Sequence, residues 1–328
     1  MPRLIFQRLL HALLLMLGVV TLVFFVAHLI PGDPSQLIDE QSLDASGREL
    51  VRQRLGLDRP LLEQYLHWLG SVVRGDLGTS LRQQRPVSAI IGQAWLNTVV
   101  LSGVALVLEL VVGVMVGVVM ARKPDGRRAG ALNLGGLTLH SLPSFWLGLV
   151  AITIFARNLG WLPAGGMHAA DASWLPWGAR TLDTLRHMIL PVLILGLGNY
   201  AVTARLTRTS LSRVLADEWV LAARARGVPE GRLVWRHALR VAALPIVTWM
   251  GVCVLRLVGG AVAVEEVFAW PGLGRVTVQA LLARDYPLIM GGTLVAALMV
   301  AVGSLLADLA ARAADPRLRL DSRDREVR

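Results

Sequence analysis

The sequence is poor in the residues from which enzyme and metal sites are usually built. Its 328 residues include one cysteine, Cys253, so neither a disulfide nor a zinc framework can form within the chain. The only lysine, Lys123, follows Arg122 rather than a glycine, which excludes a G-x-x-x-x-G-K-[ST] phosphate loop. The seven histidines are scattered, and Ser144 lacks the G-x-S-x-G setting of a serine nucleophile. The sequence therefore predicts no enzyme activity, no metal and no cofactor.

Charged residues are also scarce, at 17% of the chain against about 25% in an ordinary soluble domain. The apolar residues form blocks near the length of about 20 residues that crosses a bilayer. These blocks are 9–30, 95–121, 134–155, 187–204, 241–263 and 287–311. The first block exceeds the 7–15 residues of a signal-peptide core and is followed by Pro-Gly-Asp-Pro, so we expect a retained span. The sequence thus predicts an all-α membrane protein with six transmembrane helices.

The net charge of +10 is distributed unevenly along the chain. The N-terminal tail, 122–133, 205–240 and the tail from Arg312 carry +2, +3, +5 and +2, whereas the three intervening connections are close to neutral. Short cytoplasmic loops hold the excess of Lys and Arg in membrane proteins. We therefore expect an inner-membrane protein with both ends in the cytoplasm, and the basic charge indicates topology rather than nucleic-acid binding.

The hydropathy pattern divides the chain into four parts. Residues 1–30 form the N-terminal tail and first span, and 31–94 form an extracytoplasmic loop. Residues 95–311 form the core transmembrane domain, which includes the cytoplasmic loop 205–240, and the charged tail 312–328 has a disordered composition.

The outer loop contains one segment with helical periodicity, 61–73. Leu62, Tyr65, Leu66 and Leu69 recur at helical spacing, which is typical of an amphipathic helix on a membrane surface. The loop either caps the bundle or contacts a substrate directly, and capping is the interpretation we favour.

The cytoplasmic loop 205–240 predicts two short helices separated by a sharp turn. Residues 211–226 contain no Gly or Pro and end at Gly227, a residue suited to the left-handed conformation that closes helices. Pro229 follows, near the start of a second helix.

The segment 216–230 (ADEWVLAARARGVPE) resembles the EAA loop of binding-protein-dependent ABC importer permeases, with Leu221 in place of that motif's Glu. Further motifs make the chain similar over nearly its whole length to the B-type subunit of the dipeptide/oligopeptide/nickel permease family. They are 29–34 (LIPGDP), 75–80 (GDLGTS), 143–148 (PSFWLG), 204–210 (ARLTRTS), 236–240 (RHALR), 267–274 (VFAWPGLG), 284–287 (RDYP) and 315–317 (DPR).

The resemblance implies a type I ABC importer permease fold (a MetI-like bundle) and a set of partners. These would be a second homologous permease in a heterodimer, two ATP-binding subunits and an extracytoplasmic solute-binding protein. The loop would form a coupling helix that docks on the ATP-binding subunit. The residues expected to carry coupling are Glu218, Ala222, Ala223, Arg224, Arg226 and Gly227. Small alanines permit close approach to a partner backbone, and arginines offer bidentate ion pairs to acidic partner residues; contact with lipid headgroups is the alternative.

Two charges deep within predicted spans, Glu109 and Arg256, are further candidates. Such groups face the bundle interior or a cavity by default. They either line the substrate path or form a structural ion pair, and the sequence does not favour one over the other. Asp308, near the end of the last span, is expected to extend towards the interface.

The outer segment 265–274 is apolar and broken by Gly and Pro, as in a re-entrant turn packed against a bundle. We expect Trp270, Pro271 and Gly272 to form an extracytoplasmic lid, with a simple interface anchor at Trp270 as the alternative.

The sequence therefore predicts an importer permease whose solute is first of all a di- or oligopeptide, with nickel, a metal chelate or glutathione as alternatives. A self-sufficient secondary transporter or channel is the rival class, because Glu109, Arg256 and the Gly/Pro-rich fourth block supply some of what such a protein needs. A membrane-embedded hydrolase ranks last, since a nucleophile and base pair is missing from the sequence.

Overall fold

The computed structural model describes residues 2–29, 59–259 and 261–314. These ranges fold into helices, with one isolated antiparallel bridge between Thr79 and Pro86. The helices are α1 (Pro2–Leu29), α2 (Leu61–Val73), α3 (Val87–Arg122), α4 (Arg127–Ser141), α5 (Ser144–Ala151), α6 (Trp177–Leu197), α7 (Tyr200–Leu215), α8 (Glu218–Ala225), α9 (Glu230–Arg232), α10 (Leu239–Gly259), α11 (Val262–Val267), α12 (Leu273–Leu282) and α13 (Tyr286–Ala314). The π-helical segment Ile152–Asn158 extends α5, and a second one, Leu233–Ala238, joins α9 to α10.

Two of the described helices are long and apolar enough to cross a membrane. They are α3, with 36 residues, and the 20-residue part of α13 from Tyr286 to Leu305. The number rises to four if each of two bent helix pairs, α4 with α5 and α6 with α7, forms one span. The fold is therefore an all-α membrane bundle, and the count of six spans stays a prediction.

The bent pairs differ from the uninterrupted blocks that hydropathy predicts. The block 134–155 is divided by a 99° bend between Ser141 and Ser144. Pro143 explains the bend, because a residue before proline is driven out of the helical region, and Leu142 is extended with φ −83° and ψ 137°. The second pair bends by 47° at Gly198 and Asn199.

The contacts divide the chain into two compact units. The first comprises the described residues of Met1–Thr98 and Pro271–Ala301. In one of its cores Val87 and Ile91 of α3 pack with Leu273 and Ile289. In another, Val20 and Phe24 of α1 pack with Met290, Tyr65 and Trp68.

Helix α2 has the bounds that its periodicity predicts, but it uses two apolar faces. Tyr65 points towards α1, where its hydroxyl lies 2.7 Å from Thr21 Oγ1. Leu62 and Leu66 are exposed instead. The exposed leucines keep the apolar surface that a helix at a membrane interface requires.

The second unit comprises the described residues of Val99–Trp270 and Val302–Arg328. Within it, α3 and α7 approach each other closely. A Cβ on Gly113 would lie 2.6 Å from Thr203 Cβ, and one on Gly117 would lie 2.5 Å from Thr207 Cβ. Small residues at this spacing permit the close backbone approach that stabilises helix pairs in lipid. We call these four residues the α3–α7 seam.

The opposite side of α3 carries only large aliphatic side chains. Its exposed residues from the middle of the helix onwards include Val100, Val104, Val107, Val111, Met115 and Val119. Aliphatic groups without small or polar neighbours suit contact with lipid tails, whose polarity they match.

Candidate coupling site and the groups around it

The loop between α7 and α10 contains the helix that the sequence predicts, but that helix starts later than expected. The run 211–226 is interrupted at Ala216 and Asp217, and α8 begins at Glu218. Asp217 is extended, with φ −68° and ψ 147°, and its carbonyl accepts from Val220 N. Aspartate is a preferred N-cap residue, although the carboxylate of Asp217 accepts from Trp219 Nε1 and not from a backbone amide of the first turn. The residue type at 217 was an indication of the helix start that the sequence analysis did not use.

Gly227 closes α8 as predicted. Its φ of +78° lies in the left-handed region that glycine enters without steric cost. Gly227 N donates to Arg224 O at 2.9 Å, and Val228 N donates to Ala223 O at 3.2 Å. Together these bonds form a Schellman motif, so the turn after α8 is fixed by backbone geometry.

Arg224 forms an ion pair within the loop. Its Nη2 lies 2.9 Å and its Nε 3.2 Å from the two carboxylate oxygens of Glu230. This hydrogen-bonded contact raises the pKa of Arg224 and lowers the pKa of Glu230, and the charge of Arg122 lowers the latter further. Arg224 was expected to offer this bidentate geometry to a partner, and in this structure Glu230 occupies it.

Helix α8 has one buried and one exposed side. Val220 and Ala223 pack with Leu233 beneath the helix. Ala223 is only 7% exposed, so its small side chain serves the packing of the loop and is not open to a partner as expected. Ala222 is exposed, and Leu221 beside it is 57% exposed.

The remaining expected coupling residues, Glu218 and Arg226, are also exposed, and Arg226 Nε donates to Ala222 O at 3.3 Å. Trp219 adds an aromatic group to this side, where its Nε1 donates to Asp217 Oδ2. The exposed side of α8 and of the residue after it therefore combines apolar groups with the charges of Glu218, Arg224 and Arg226.

The segment that follows α8 packs against three neighbouring helices, α3, α7 and α10. Val234 and Ala238 of the π-helical segment belong to one core with Val118 and Ala121 of α3. Leu211 of α7 and Ala242 of α10 complete this core. A displacement of α8 would therefore be passed on to three helices.

Glu109 lies inside α3, four residues before the α3–α7 seam. Its side chain is 6% exposed. Oε1 accepts from Thr203 Oγ1 at 3.4 Å and from Cys253 Sγ at 3.6 Å. The side chains of Arg256 and Asp308 lie outside the described residues.

The turn after α11 is buried rather than exposed. Trp270 is 0% exposed and packs with Leu101 and Met188, which excludes a surface anchor. Ala269 has a positive φ of +51°. Phe268 O accepts from Gly166 N at 2.7 Å, so the turn is packed against its own unit.

The next two residues of the expected lid belong to the first unit. Asn97 Nδ2 donates to Pro271 O at 2.9 Å. Gly272 precedes α12, whose first amide, Leu273 N, donates to Thr98 Oγ1 at 2.8 Å.

Asp285 is a buried carboxylate that the sequence did not single out. It accepts from Ser80 Oγ at 2.5 Å and from the amides of Leu81 and Arg82 at 3.2 Å each. These hydrogen bonds connect segments 75–80 and 284–287, which the sequence analysis treated as two separate motifs. Nothing in a single sequence indicates this pairing, because the two residues stand 205 positions apart.

This helical membrane bundle, with a rigid two-helix loop on its helix ends, is the fold of an ABC transporter's membrane subunit. The chain belongs to the family described as binding-protein-dependent transport system inner membrane component, whose model matches residues 113–320. The model of the corresponding N-terminal region matches residues 1–102. It is therefore an ABC importer permease and not an enzyme, and ATP is hydrolysed in a separate subunit.

Several relatives match almost end to end. The oligopeptide transport system permease protein AppB of Bacillus subtilis is 36% identical over 315 residues, which cover 96% of this chain and 98% of that protein. The glutathione transport system permease protein GsiC of Pectobacterium atrosepticum is 40% identical over 316 residues, 95% of this chain and 97% of the relative. The GsiC of Escherichia coli strain K12 is 38% identical over 319 residues, 96% and 98% of the two chains.

Among solved structures, the inward-facing methionine ABC transporter MetNI has the same fold. The match has a TM-score of 0.51 at 18% identity and covers 69% of this chain and 96% of that chain. It confirms the MetI-like bundle that the resemblance implied.

Proposed function

We propose that this permease imports peptide-type solutes and transmits the force of ATP hydrolysis through the exposed side of α8. The relatives named for oligopeptide and glutathione transport support this solute class, since glutathione is itself a tripeptide. Nickel and metal chelates stay as alternatives from the resemblance.

The observation that carries the proposal is the apolar surface of α8. Trp219, Leu221 and Ala222 are exposed on a loop outside the spans, between arginines at 213 and 226. Apolar side chains exposed at such a place indicate an interaction site. An ATP-binding subunit that covers these residues would also cover Glu218, which lies between Leu221 and Ala222 around the helix, and Arg226 would follow just beyond the end of the helix.

The packing beneath α8 supplies the route of transmission. Val220 and Ala223 rest on Leu233, and the next residue, Val234, packs against α3 and α7. Closure of two ATP-binding subunits on ATP would move the loop and rotate these helices as one body. The solute path would open outward between this chain and a second, homologous permease.

The proposed assembly follows from the family and from the charge pattern. The family name implies a solute-binding protein, which would deliver the solute on the outer side. Six spans with both ends in the cytoplasm would put loop 205–240 on the ATP-binding side, and its net charge of +5 supports this orientation. The chain 265–272 would then lie on the outer side as a turn beneath the docked binding protein.

Two roles remain for Glu109. It either lines the solute path or forms a structural ion pair with Arg256. Its burial against Thr203 and Cys253 supports the structural role. Uptake with unchanged selectivity after Glu109→Gln would agree with that role, and altered selectivity would return Glu109 to the path.

The test is affinity purification from native membranes in mild detergent, with mass spectrometry of the bound proteins. We expect the ATP-binding subunit to remain with the wild type and to be lost with Leu221→Asp, which puts a charge into the apolar contact. Leu282→Asp, at an exposed leucine outside the loop, is the matched control and should retain the subunit.

A stable wild type that retains no ATP-binding subunit would contradict the proposal. The rival class, a self-sufficient secondary transporter, is favoured by two observations: bent membrane helices and a buried carboxylate in α3. Uptake that survives loss of ATP and stops with the ion gradient would establish it.

A further inference from the structure

The side of α7 that faces away from α3 carries a row of polar residues. Arg205, Thr209 and Arg213 follow one another at four-residue spacing, and all three are exposed. Each step of four residues turns only about 40° around an α-helix, so the three side chains share one face of α7. We call these three residues the α7 stripe.

The neighbouring helices of the second unit contact other sides of α7. Thr203 and Thr207 meet α3 at the seam. Ala201 lies against α4, where a Cβ on Gly136 would come within 3.0 Å of the Ala201 Cβ. Leu211 belongs to the core that α7 shares with α10. Within the described part of this unit, the α7 stripe is therefore open.

The seam gives the depth of Arg205 in the membrane. Its two glycine–threonine contacts follow one another in the same order on both helices, so α3 and α7 run in the same direction. Arg205 stands midway between the two threonines and is therefore level with Met115 of α3. Met115 precedes Arg122, the last residue of α3, by about 10 Å along the helix axis. With Arg122 at the headgroups, Arg205 leaves its helix about 10 Å inside a hydrocarbon layer of roughly 30 Å.

The side chain of Arg205 extends away from these headgroups. Its Nε donates to Ala201 O, one turn back, at 3.4 Å. Helical side chains lean towards the N-terminus of their own helix, and the N-terminus of α7 lies farther from the level of Arg122 than Arg205 does. The guanidinium therefore does not reach back to the headgroup layer, as a lipid-facing arginine near a helix end does.

The exposed sides of α3 and α7 differ at the same depth. Met115 and its exposed neighbours on α3 are aliphatic, whereas α7 presents a charge at this level. A charged group at such a depth faces the bundle interior or a water-filled cavity by default. Among the residues that the structure describes, no carboxylate forms an ion pair with Arg205 or Arg213. Water or a bound anion must therefore balance these two charges.

We propose that the α7 stripe lines the solute path and that Arg205 binds the carboxylate of a passing peptide. This inference rests on the proposed function, because it names a contact made during import. A guanidinium donates two parallel hydrogen bonds to a carboxylate, and a linear peptide carries a carboxylate at its C-terminus. Thr209 and Arg213 continue the polar wall towards the loop that contains α8, and Arg213 adds a second positive charge.

The first test is the reactivity of introduced cysteines in membranes that contain the whole transporter. Arg205→Cys and Thr209→Cys are compared with Met115→Cys and Val119→Cys, which lie at the same two levels on the exposed aliphatic side of α3. The native thiol of Cys253 is 2% exposed, so it can stay in place as an unreactive internal site. The probe is a membrane-impermeant thiol reagent with a sulfonate group, applied from each side of the membrane.

We expect the stripe positions to react about tenfold faster than the α3 positions, because charged reagents enter water and not hydrocarbon. Equal rates would place the stripe against lipid, with Arg205 beside a headgroup, and would overturn the inference. The ATP-binding subunit would still co-purify in that case, so the failure of the stripe is distinguishable from the failure of the proposed function.

The charge of Arg205 is tested with a second reagent, which carries a quaternary ammonium group in place of the sulfonate. Both rates at Thr209→Cys are divided by the rates with free cysteine. We expect a preference for the sulfonate reagent that Arg205→Gln lowers about threefold, since one positive charge near the thiol is removed. Arg205→Lys keeps the charge and should keep the preference. An unchanged preference in Arg205→Gln would contradict the role of Arg205.

Carboxylate recognition is tested by protection with two peptides. Triglycine ends in a carboxylate, whereas triglycine amide ends in a neutral group. We expect triglycine to slow the labelling of Thr209→Cys about threefold and the amide to slow it less, because only the carboxylate accepts a bidentate ion pair. Arg205→Gln should abolish the difference between the two peptides. Equal protection by both peptides with Arg205 in place, or protection by neither, would overturn the carboxylate recognition.

Discussion

Two contacts of different kinds hold helix α7. One is the α3–α7 seam along its length, and the other is the contact at its start between His140 Nδ1 and Gly198 O, 3.0 Å apart, which we call the joint. At the seam, glycines of α3 lie so close to Thr203 and Thr207 that a single methyl group would clash. At the joint, Gly198 is reached by one histidine ring across a break in two helices. At the seam the backbones of α3 and α7 are in direct contact, whereas at the joint α4 and α7 are linked by a single side-chain contact. The two contacts should therefore respond differently to substitution, the seam to added volume and the joint to loss of one donor.

The largest expected effect comes from the closest point of the seam. In Gly117→Ala the new methyl group would meet Thr207 Cβ at 2.5 Å and Ala204 O at 2.6 Å. Overpacking of this kind costs about 1–3 kcal/mol. We expect a clear loss of thermal stability in detergent, measured by size-exclusion chromatography after heating. Gly103→Ala, on the same helix with nothing within 4 Å, is the control, and equal losses in both variants would contradict the seam.

The second effect concerns the turn that closes α8. Gly227→Ala must adopt a φ of +78°, which costs an L-residue about 1–2 kcal/mol. We expect less ATP-binding subunit to co-purify, because a strained turn no longer holds α8 in one orientation. The spans should remain folded. Gly231→Ala, which has open space and no positive φ, should behave as the wild type.

A smaller effect is expected when the joint is broken. His140→Ala leaves Gly198 O without its donor, and a net hydrogen bond of this kind is worth about 0.5–1.5 kcal/mol. We expect a modest loss of thermal stability in the same heating assay. His140→Gln should recover part of it, because its amide can donate to the same carbonyl. No difference between the two variants would mean that the hydrogen bond is dispensable.

The smallest effect is expected for the ion pair between Arg224 and Glu230. The pKa of Glu230 lies below its ordinary 4.5 in the folded loop, so the pair contributes stability above pH 4.5. That contribution is lost as the pH falls through the lower, folded pKa. Both side chains are about 40% exposed, so screening limits it to roughly a few tenths of a kcal/mol. Trypsin cleavage near Arg226 should be slightly faster in Glu230→Gln than in wild type at pH 7, and high salt should remove the difference.

Local features of this fold could be predicted from the sequence, and contacts between distant segments could not. The bounds of α2 and the closing role of Gly227 follow from periodicity and from glycine's conformational freedom. Pro143 indicates the bend after α4, but the apolar block 134–155 is long enough for one span and was therefore predicted as an unbroken helix. His140 satisfies the criterion that selected Glu109, a titratable group within a span, and was passed over.

Other parts of the site depend on tertiary packing that one sequence does not reveal. Ala222 and Ala223 look equivalent in the chain, and only the position of Leu233 decides which of them is buried. The pairing of Arg224 with Glu230 rather than with a partner depends on the turn at Gly227. The hydrogen bonds of Asp285 could not be predicted for the same reason, because Ser80, Leu81 and Arg82, which donate to it, are distant in the sequence.

The most direct test of the account compares these two neighbouring alanines. Ala222→Cys and Ala223→Cys, each carrying a maleimide-linked benzophenone, would be irradiated in membranes that contain the whole transporter. The account predicts a cross-link to the ATP-binding subunit from position 222 and not from position 223, which lies beneath the helix. Cross-links from position 223 alone, or from neither position in a complex that still hydrolyses ATP, would contradict coupling through the exposed side of α8.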